Sequence, residues 1–164
     1  MSIRDAVANA RAYLTEHPDE ARYRDSAATA RITSGLVTSV TGAGGEALTS
    51  DMPKGIGGSA TSPSPGWYLR AAAAACVASL IAIRAASTGT DVGAIEVTVD
   101  SESDDRGILG LDEAIPSGAL SVAIVATVEG ANRPAIDEVV GWAVAHCPVT
   151  DTIARSVPIT VEIR

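Results

Sequence analysis

Ser62-Pro63-Ser64-Pro65-Gly66-Trp67-Tyr68-Leu69-Arg70-Ala71-Ala72-Ala73-Ala74-Ala75-Cys76-Val77-Ala78-Ser79-Leu80-Ile81-Ala82-Ile83-Arg84-Ala85-Ala86 is the stretch on which the fold turns. Ser and Pro suit the first turn of a helix, and Ala is the best helix former in the interior. A helix is therefore expected from Trp67 to about Ala86, roughly 30 Å long at the usual rise per residue. It is apolar nearly all round, so it has to be covered on more than one side. One small sheet covers one side. A second copy of the chain is the economical cover for the other, which makes a homodimer the expected assembly.

Upstream, Ser2 is placed to cap a first helix with Ile3, Ala6, Val7, Ala10 and Leu14 along one face, interrupted at His17-Pro18. Thr29 to Thr41 has strand character and leads into the turn Gly42-Ala43-Gly44-Gly45, with a short strand following at 46–50. The glycine-rich run Lys54-Gly55-Ile56-Gly57-Gly58-Ser59-Ala60 lacks the Gly-Lys-Ser/Thr ending of a phosphate loop, and a surface turn is expected there.

Downstream of the long helix, Ile95, Val97 and Val99 alternate with polar neighbours as in a half-buried strand, and 120–128 repeats the pattern. Between them Ser101 to Gly110 is a charged loop whose acidic residues miss the spacing of a calcium-binding loop. Asn132 and Pro134 open another helix with a face of Ile136, Val139, Val140, Ala143 and Val144, which ends near His146-Cys147-Pro148. Ile159, Val161 and Ile163 then suggest a closing strand. Strands grouped with long helices, rather than strictly alternating, indicate an α+β fold with an antiparallel sheet packed on the central helix.

Composition narrows the function. The chain has 164 residues, the length of one ordinary domain. Only 3% of residues are aromatic and none is Phe, so the core is assembled from Ala, Val, Ile and Leu. A net charge of −8 and an isoelectric point near 4.6 oppose attraction to nucleic acid or to anionic membranes. The charged start Arg4-Asp5 is unlike a secretory signal. The longest apolar run, Ala71 to Ile83, falls short of the roughly 20 residues a spanning helix needs. A soluble, cytoplasmic protein is expected.

In a reducing cytosol the two cysteines, Cys76 and Cys147, are either buried small hydrophobes or a transient redox couple. A thiol acts as a nucleophile only as thiolate. Cys76 stands too deep in its helix for the dipole to help, and an alanine-rich shell raises its pKa by desolvation. A neighbouring cation would reverse that, and Arg31 on the first strand is the preferred candidate. Arg70 and Arg84 project roughly 120° and 80° around the helix from Cys76. His146 diverges from its neighbour Cys147 by about 100° if both are helical, and a zinc set of Cys76, Cys147, His146 and His17 has no metal-type local spacing. No metal or cofactor is expected.

Three runs carry a family resemblance. They are Asp51-Met52-Pro53-Lys54-Gly55-Ile56-Gly57-Gly58, then Pro63-Ser64-Pro65 through Ala75-Cys76, and Ala145-His146-Cys147-Pro148-Val149-Thr150. Together, in this order, they resemble the OsmC/Ohr family of osmotically inducible and organic-hydroperoxide-resistance proteins. The resemblance spans about Thr29 to Arg164, which divides the chain into a helical extension over 1–28 and an OsmC-like domain over 29–164. It implies an intertwined homodimer with long central helices wrapped by sheets from both subunits. It also implies thiol-dependent reduction of organic hydroperoxides, with Cys76 as peroxidatic cysteine, Cys147 as resolving cysteine and an external dithiol as reductant. Two positions depart from the better-studied peroxidases of that family. Gly66 follows Pro65 where they carry a Glu, and Ser34-Gly35-Leu36 stands where their activating Arg arises, with Arg31 a few residues upstream. The competing readings are a non-catalytic dimer that binds a small apolar ligand, with Cys76 merely packed, and a redox sensor signalling through a Cys76–Cys147 disulfide.

Overall fold

The computed structural model describes residues 1–163. In chain order the elements are α1 (Ile3–Glu16), β1 (Ala28–Ser34), β2 (Val37–Gly42), β3 (Ala47–Ser50), α2 (Pro65–Thr88), β4 (Ile95–Glu102), α3 (Asp105–Ile108), β5 (Ser121–Val128), α4 (Arg133–Ala145) and α5 (Pro148–Ala154). They fall into two compact units. Ala10–Leu69 forms one, and Met1–Asn9 together with the chain from Arg70 onward forms the other.

The first of these units holds the antiparallel sheet β1-β2-β3. The single strand expected over 29–41 is in fact a hairpin, with Thr29 opposite Thr41 and Ile32 opposite Thr38. Gly35 takes a left-handed φ of 55°, the conformation a tight reversal needs and a side chain disfavours, so the strand folds back on itself there. Beyond β3, the Asp51 carboxylate is buried, with 1% of its surface exposed, and organises the glycine-rich loop. It accepts hydrogen bonds from the N–H groups of Met52 (2.8 Å), Ser59 (3.1 Å) and Thr61 (3.0 Å) and from the Thr61 hydroxyl (3.0 Å). Those bonds, led by the Thr61 amide and opposed by burial, hold its pKa below the ordinary value. The loop closes so tightly that a Cβ on Gly58 would stand 1.8 Å from the Met52 carbonyl oxygen. Only Gly fits there. Among the described residues of this unit, Ser50 and Asp51 alone are buried.

The second unit contains the core. Ala73, Val77, Ile81 and Ala85 lie four residues apart along α2 and are all buried. Val77, Ile81 and Ala85 cluster with Ile136, Val139 and Ala143 of α4, Val128 of β5, and Cys147. Fully burying each large aliphatic side chain contributes about 1.5–3 kcal/mol. β4 and β5 pair antiparallel, Ile95 with Val128, Val97 with Ala126 and Val99 with Ile124, so one apolar face is turned to this cluster.

Helix boundaries follow local chemistry. Ser2 and Asp5 form a reciprocal cap on α1, with Asp5 N–H donating to the Ser2 hydroxyl (3.2 Å) and Ser2 N–H to the Asp5 carboxylate (3.2 Å). None of the expected apolar face of α1 is buried. Ser64 accepts from the Trp67 N–H (3.3 Å), and α2 therefore starts at Pro65 and runs 24 residues. That exceeds the apolar run, which Ser79 interrupts, and by length and hydropathy alone α2 could cross a membrane, although its stripe at 73, 77, 81 and 85 is buried by the chain itself.

Three further expectations are corrected. The charged loop is shorter than expected, because β4 continues to Glu102 and Asp104, accepting from the Arg106 N–H, caps the single turn of α3. Cys147 does not merely follow a helix end. Pro148, unable to continue α4, is favoured at the first position of a new helix, so Cys147 stands at the N-cap position of α5, with no side-chain cap hydrogen bond. The closing strand does not form: Ile159, Val161 and Ile163 are 88%, 82% and 92% exposed, with no strand assigned beyond α5 among the described residues.

Candidate active site

Two elements converge on a pair of thiols. Cys76 is half-buried on α2, one position before the core residue Val77, and Cys147 is fully buried at the junction of α4 and α5. The sulfurs face each other closely enough for each thiol to alter the other's ionisation, and both are free. Helical spacing explains the meeting. Cys76 neighbours Val77 on the α2 face that packs against α4, and Pro148 stops α4 where its buried stripe (136, 139, 143) next turns inward, at 147.

Their environments push the two thiols apart. Burial raises the Cys76 pKa, and its contact with Cys147 adds to the rise against the Val149 N–H. Burial also opposes the thiolate at Cys147. There it is outweighed by the Thr150 N–H, the Cys76 thiol, the Thr150 hydroxyl and the Val149 N–H, so the net shift is downward. The surroundings thus disfavour the thiolate at Cys76 and favour it at Cys147.

The three candidate cations fare differently. Arg70 donates to the Ser101 hydroxyl (3.1 Å). Arg84 pairs with Glu138 (2.5 Å) and lies 4.9 Å from the centre of the Trp142 ring. Neither is among the groups that perturb the Cys76 thiol. Arg31 is exposed on β1, opposite Ser39, in the other unit. His146 turns away from chemistry at Cys147: its ring stacks on Trp142 at 4.2 Å, with Nδ1 2.8 Å from the Trp142 carbonyl oxygen. His17 lies 4.0 Å from Glu20. Sequence reading missed Thr150, whose only signal was its place after the Cys-Pro pair. It missed the Arg84–Trp142–His146 stack as well, although Trp142 and His146 are one helical turn apart.

The model of the OsmC-like protein family matches residues 57–162, which include both cysteines. The chain belongs to the OsmC-like family. No curated protein matches it. Among solved structures it is similar to the organic hydroperoxide resistance protein OsmC of Legionella pneumophila, at 23% identity and a TM-score of 0.63 over 80% of this chain and 90% of that one. It is also similar to an OsmC-like protein of Mycoplasma pneumoniae, at 16% identity and a TM-score of 0.67 over 81% and 89% of the two chains. An OsmC-like protein of unknown function from Vibrio cholerae matches at 9% identity and a TM-score of 0.65 over 79% and 94%. These likenesses bear out the α+β, OsmC-like fold. At such identities they speak to fold alone.

Proposed function

We propose that this OsmC-like protein is a thiol-dependent reductase of organic hydroperoxides. The observation that carries the reading is the opposed pair of free thiols, Cys76 half-open to solvent and Cys147 sealed behind it. Family membership and the hydroperoxide-resistance names of similar structures support it.

Chemistry proceeds in two thiol steps. The Cys76 thiolate attacks one oxygen of the substrate O–O bond; that bond breaks, the sulfur gains the oxygen as a sulfenic acid, and the alkoxide takes a proton and leaves as an alcohol. The Cys147 thiolate then attacks the Cys76 sulfur, closing a disulfide while the hydroxide leaves as water. A dithiol reductant returns both thiols by exchange. Cys76 is the accessible member and Cys147 the covered one, which suits them to first and second attack. Since burial raises the Cys76 pKa, the first step needs a positive charge at the sulfur, for which Arg31 is the candidate the sequence offers.

Stopped-flow turnover of cumene hydroperoxide and hydrogen peroxide with a dithiol tests the reading. Expected is a clear preference for the organic peroxide, because the Ala, Val and Leu side chains around Cys76 favour an alkyl chain. Cys76→Ser should abolish turnover, and Cys147→Ser should permit a single oxidation that a sulfenic-acid probe traps. Equal, negligible rates for wild type and Cys76→Ser would overturn it in favour of an apolar-ligand-binding dimer.

A further inference from the structure

α4 carries two adjacent rows of side chains. Ile136, Val139 and Ala143 are its buried row, which Cys147 continues into the core. Glu138, Trp142 and His146 recur every fourth residue as a second row. Each stands one position before a member of the buried row, roughly 100° around the helix. Arg84 of α2 engages this second row. Its Nη2 donates to the Glu138 carboxylate at 2.5 Å, and its guanidinium carbon lies 4.9 Å from the centre of the Trp142 ring. His146 completes the row: its ring stacks on that indole, and its backbone N–H (3.0 Å) and Nδ1 (2.8 Å) both meet the Trp142 carbonyl oxygen.

The placement of Arg84 is opposed by one of its own groups. Its Nε is buried with no hydrogen-bond partner among the described residues. An unpaired buried donor is unfavourable, and turning the side chain out to water would relieve it. Arg84 stays over the indole, so the ion pair and the ring contact outweigh that penalty. The buried row by itself specifies the roll of α4 weakly, because Ala85 and Ala143 in the shared cluster offer little relief to key one helix into the other. A second contact on the neighbouring row fixes what the first leaves free.

We propose that Arg84 is a positioning residue for the thiol pair: by holding Glu138 and Trp142 it sets the roll of α4 on α2, and so the direction in which Cys147 faces Cys76. The inference rests on the pair acting as the redox couple of the proposed reductase. Cys76 packs against the same cluster to which Cys147 belongs, and it shares α2 with Arg84, about 12 Å away along the helix axis. Cys147 directly follows the last member of the row that Arg84 holds. A disulfide needs its sulfurs at about 2 Å with a narrow range of dihedral angles. With α4 free to roll, closing the bond has to order the helix as well, which lowers the equilibrium constant for closure.

The test equilibrates the full-length protein with reduced and oxidised glutathione. Oxidised glutathione takes two electrons and two protons from the thiol pair and leaves as two reduced molecules. Arg84→Met keeps a long apolar stem and removes the guanidinium. It should lower the equilibrium constant for the Cys76–Cys147 disulfide about tenfold, a rise of about 30 mV in reduction potential. Trp142→Leu should act in the same direction, and the double variant should do no more than the larger single change, because both remove one contact. Arg84→Lys keeps a charge for Glu138 without a flat face for the indole, and should fall between Met and the parent. A second readout needs no disulfide. In Cys76→Ser protein Cys147 is the only thiol, and Arg84→Met should speed its labelling by N-ethylmaleimide at a rate independent of urea below the unfolding transition. A protein that is merely less stable labels through global unfolding, at a rate that climbs with urea. A parent-like potential in Arg84→Met, or labelling that is unchanged or climbs with urea, would overturn the proposal. If the parent forms no disulfide with glutathione, the reductase reading falls, and the labelling rates still decide the role of Arg84.

Discussion

At the residue scale, the pattern of hydrogen bonds decides which polar groups a core without Phe tolerates. Asp51 is the clearest instance, a buried carboxylate whose partners are three backbone N–H groups and a hydroxyl. Its folded pKa is depressed, so the stability it contributes is present above the unfolded value of 3.8 and is lost as pH falls through the folded pKa. Asp51→Ala leaves those donors without an acceptor and should release the 52–61 loop. Hydrogen exchange at the amides of Ser59 and Thr61 should accelerate in the variant, and in the parent only under acid conditions. Parent-like protection in Asp51→Ala would refute that role. The sequence placed Asp51 in a family-like run but offered no means of seeing it buried, because its partners lie up to ten residues along an irregular loop. The two cysteines were legible as a pair only through the resemblance, whereas their opposite pKa shifts depend on donors at 149 and 150 that no periodicity marks.

At the element scale, apolar spacing was an accurate guide wherever one chain supplies both sides of a contact. The face expected on α4 is the face that packs, with Ile136, Val139 and Ala143 buried against α2. Ile136→Ala and Ile81→Ala should each cost about 2–5 kcal/mol in chemical denaturation, the usual price of an aliphatic core truncation. Ile3→Ala, on the exposed side of α1, should cost far less. Comparable losses at all three positions would contradict the observed core. Spacing failed where turns and pairing partners decide. Gly35 converts one apparent strand into a hairpin, and the alternating pattern at 157–163 forms no strand among the described residues. Gly58→Ala tests the tight closure of the glycine-rich loop: with the Met52 carbonyl 1.8 Å from the new Cβ, the backbone has to move. Limited proteolysis should then cut within 52–61, and a resistant variant would show that the loop yields at no cost.

At the scale of the whole molecule, the uneven distribution of burial carries the argument. Every buried apolar side chain among the described residues belongs to the unit built on α2, α4 and the β4–β5 pair. The three-stranded sheet has none, although Ile32, Leu36 and Leu48 are there to bury. A sheet with no covered apolar face does not repay the conformational entropy of forming it. α2 likewise leaves Trp67 and Leu69 exposed, Val157, Ile159, Val161 and Ile163 are exposed too, and the outer edges of the β4–β5 pair have no strand partner among the described residues. Open sheet edges are a liability unless another chain satisfies them. A second copy would supply such surfaces at once, and closed twofold association is the commonest way for identical chains to do so. We therefore expect a homodimer by light scattering at micromolar concentration, with a melting temperature that rises with protein concentration. Removing the chain from Ser156 onward should weaken the dimer and expose apolar surface to a hydrophobic dye, while the α2–α4 core, which makes no use of those residues, keeps its helical circular dichroism. A monomeric mass for the intact chain would mean that the three-stranded sheet is stable uncovered, and the argument from burial would fail with it.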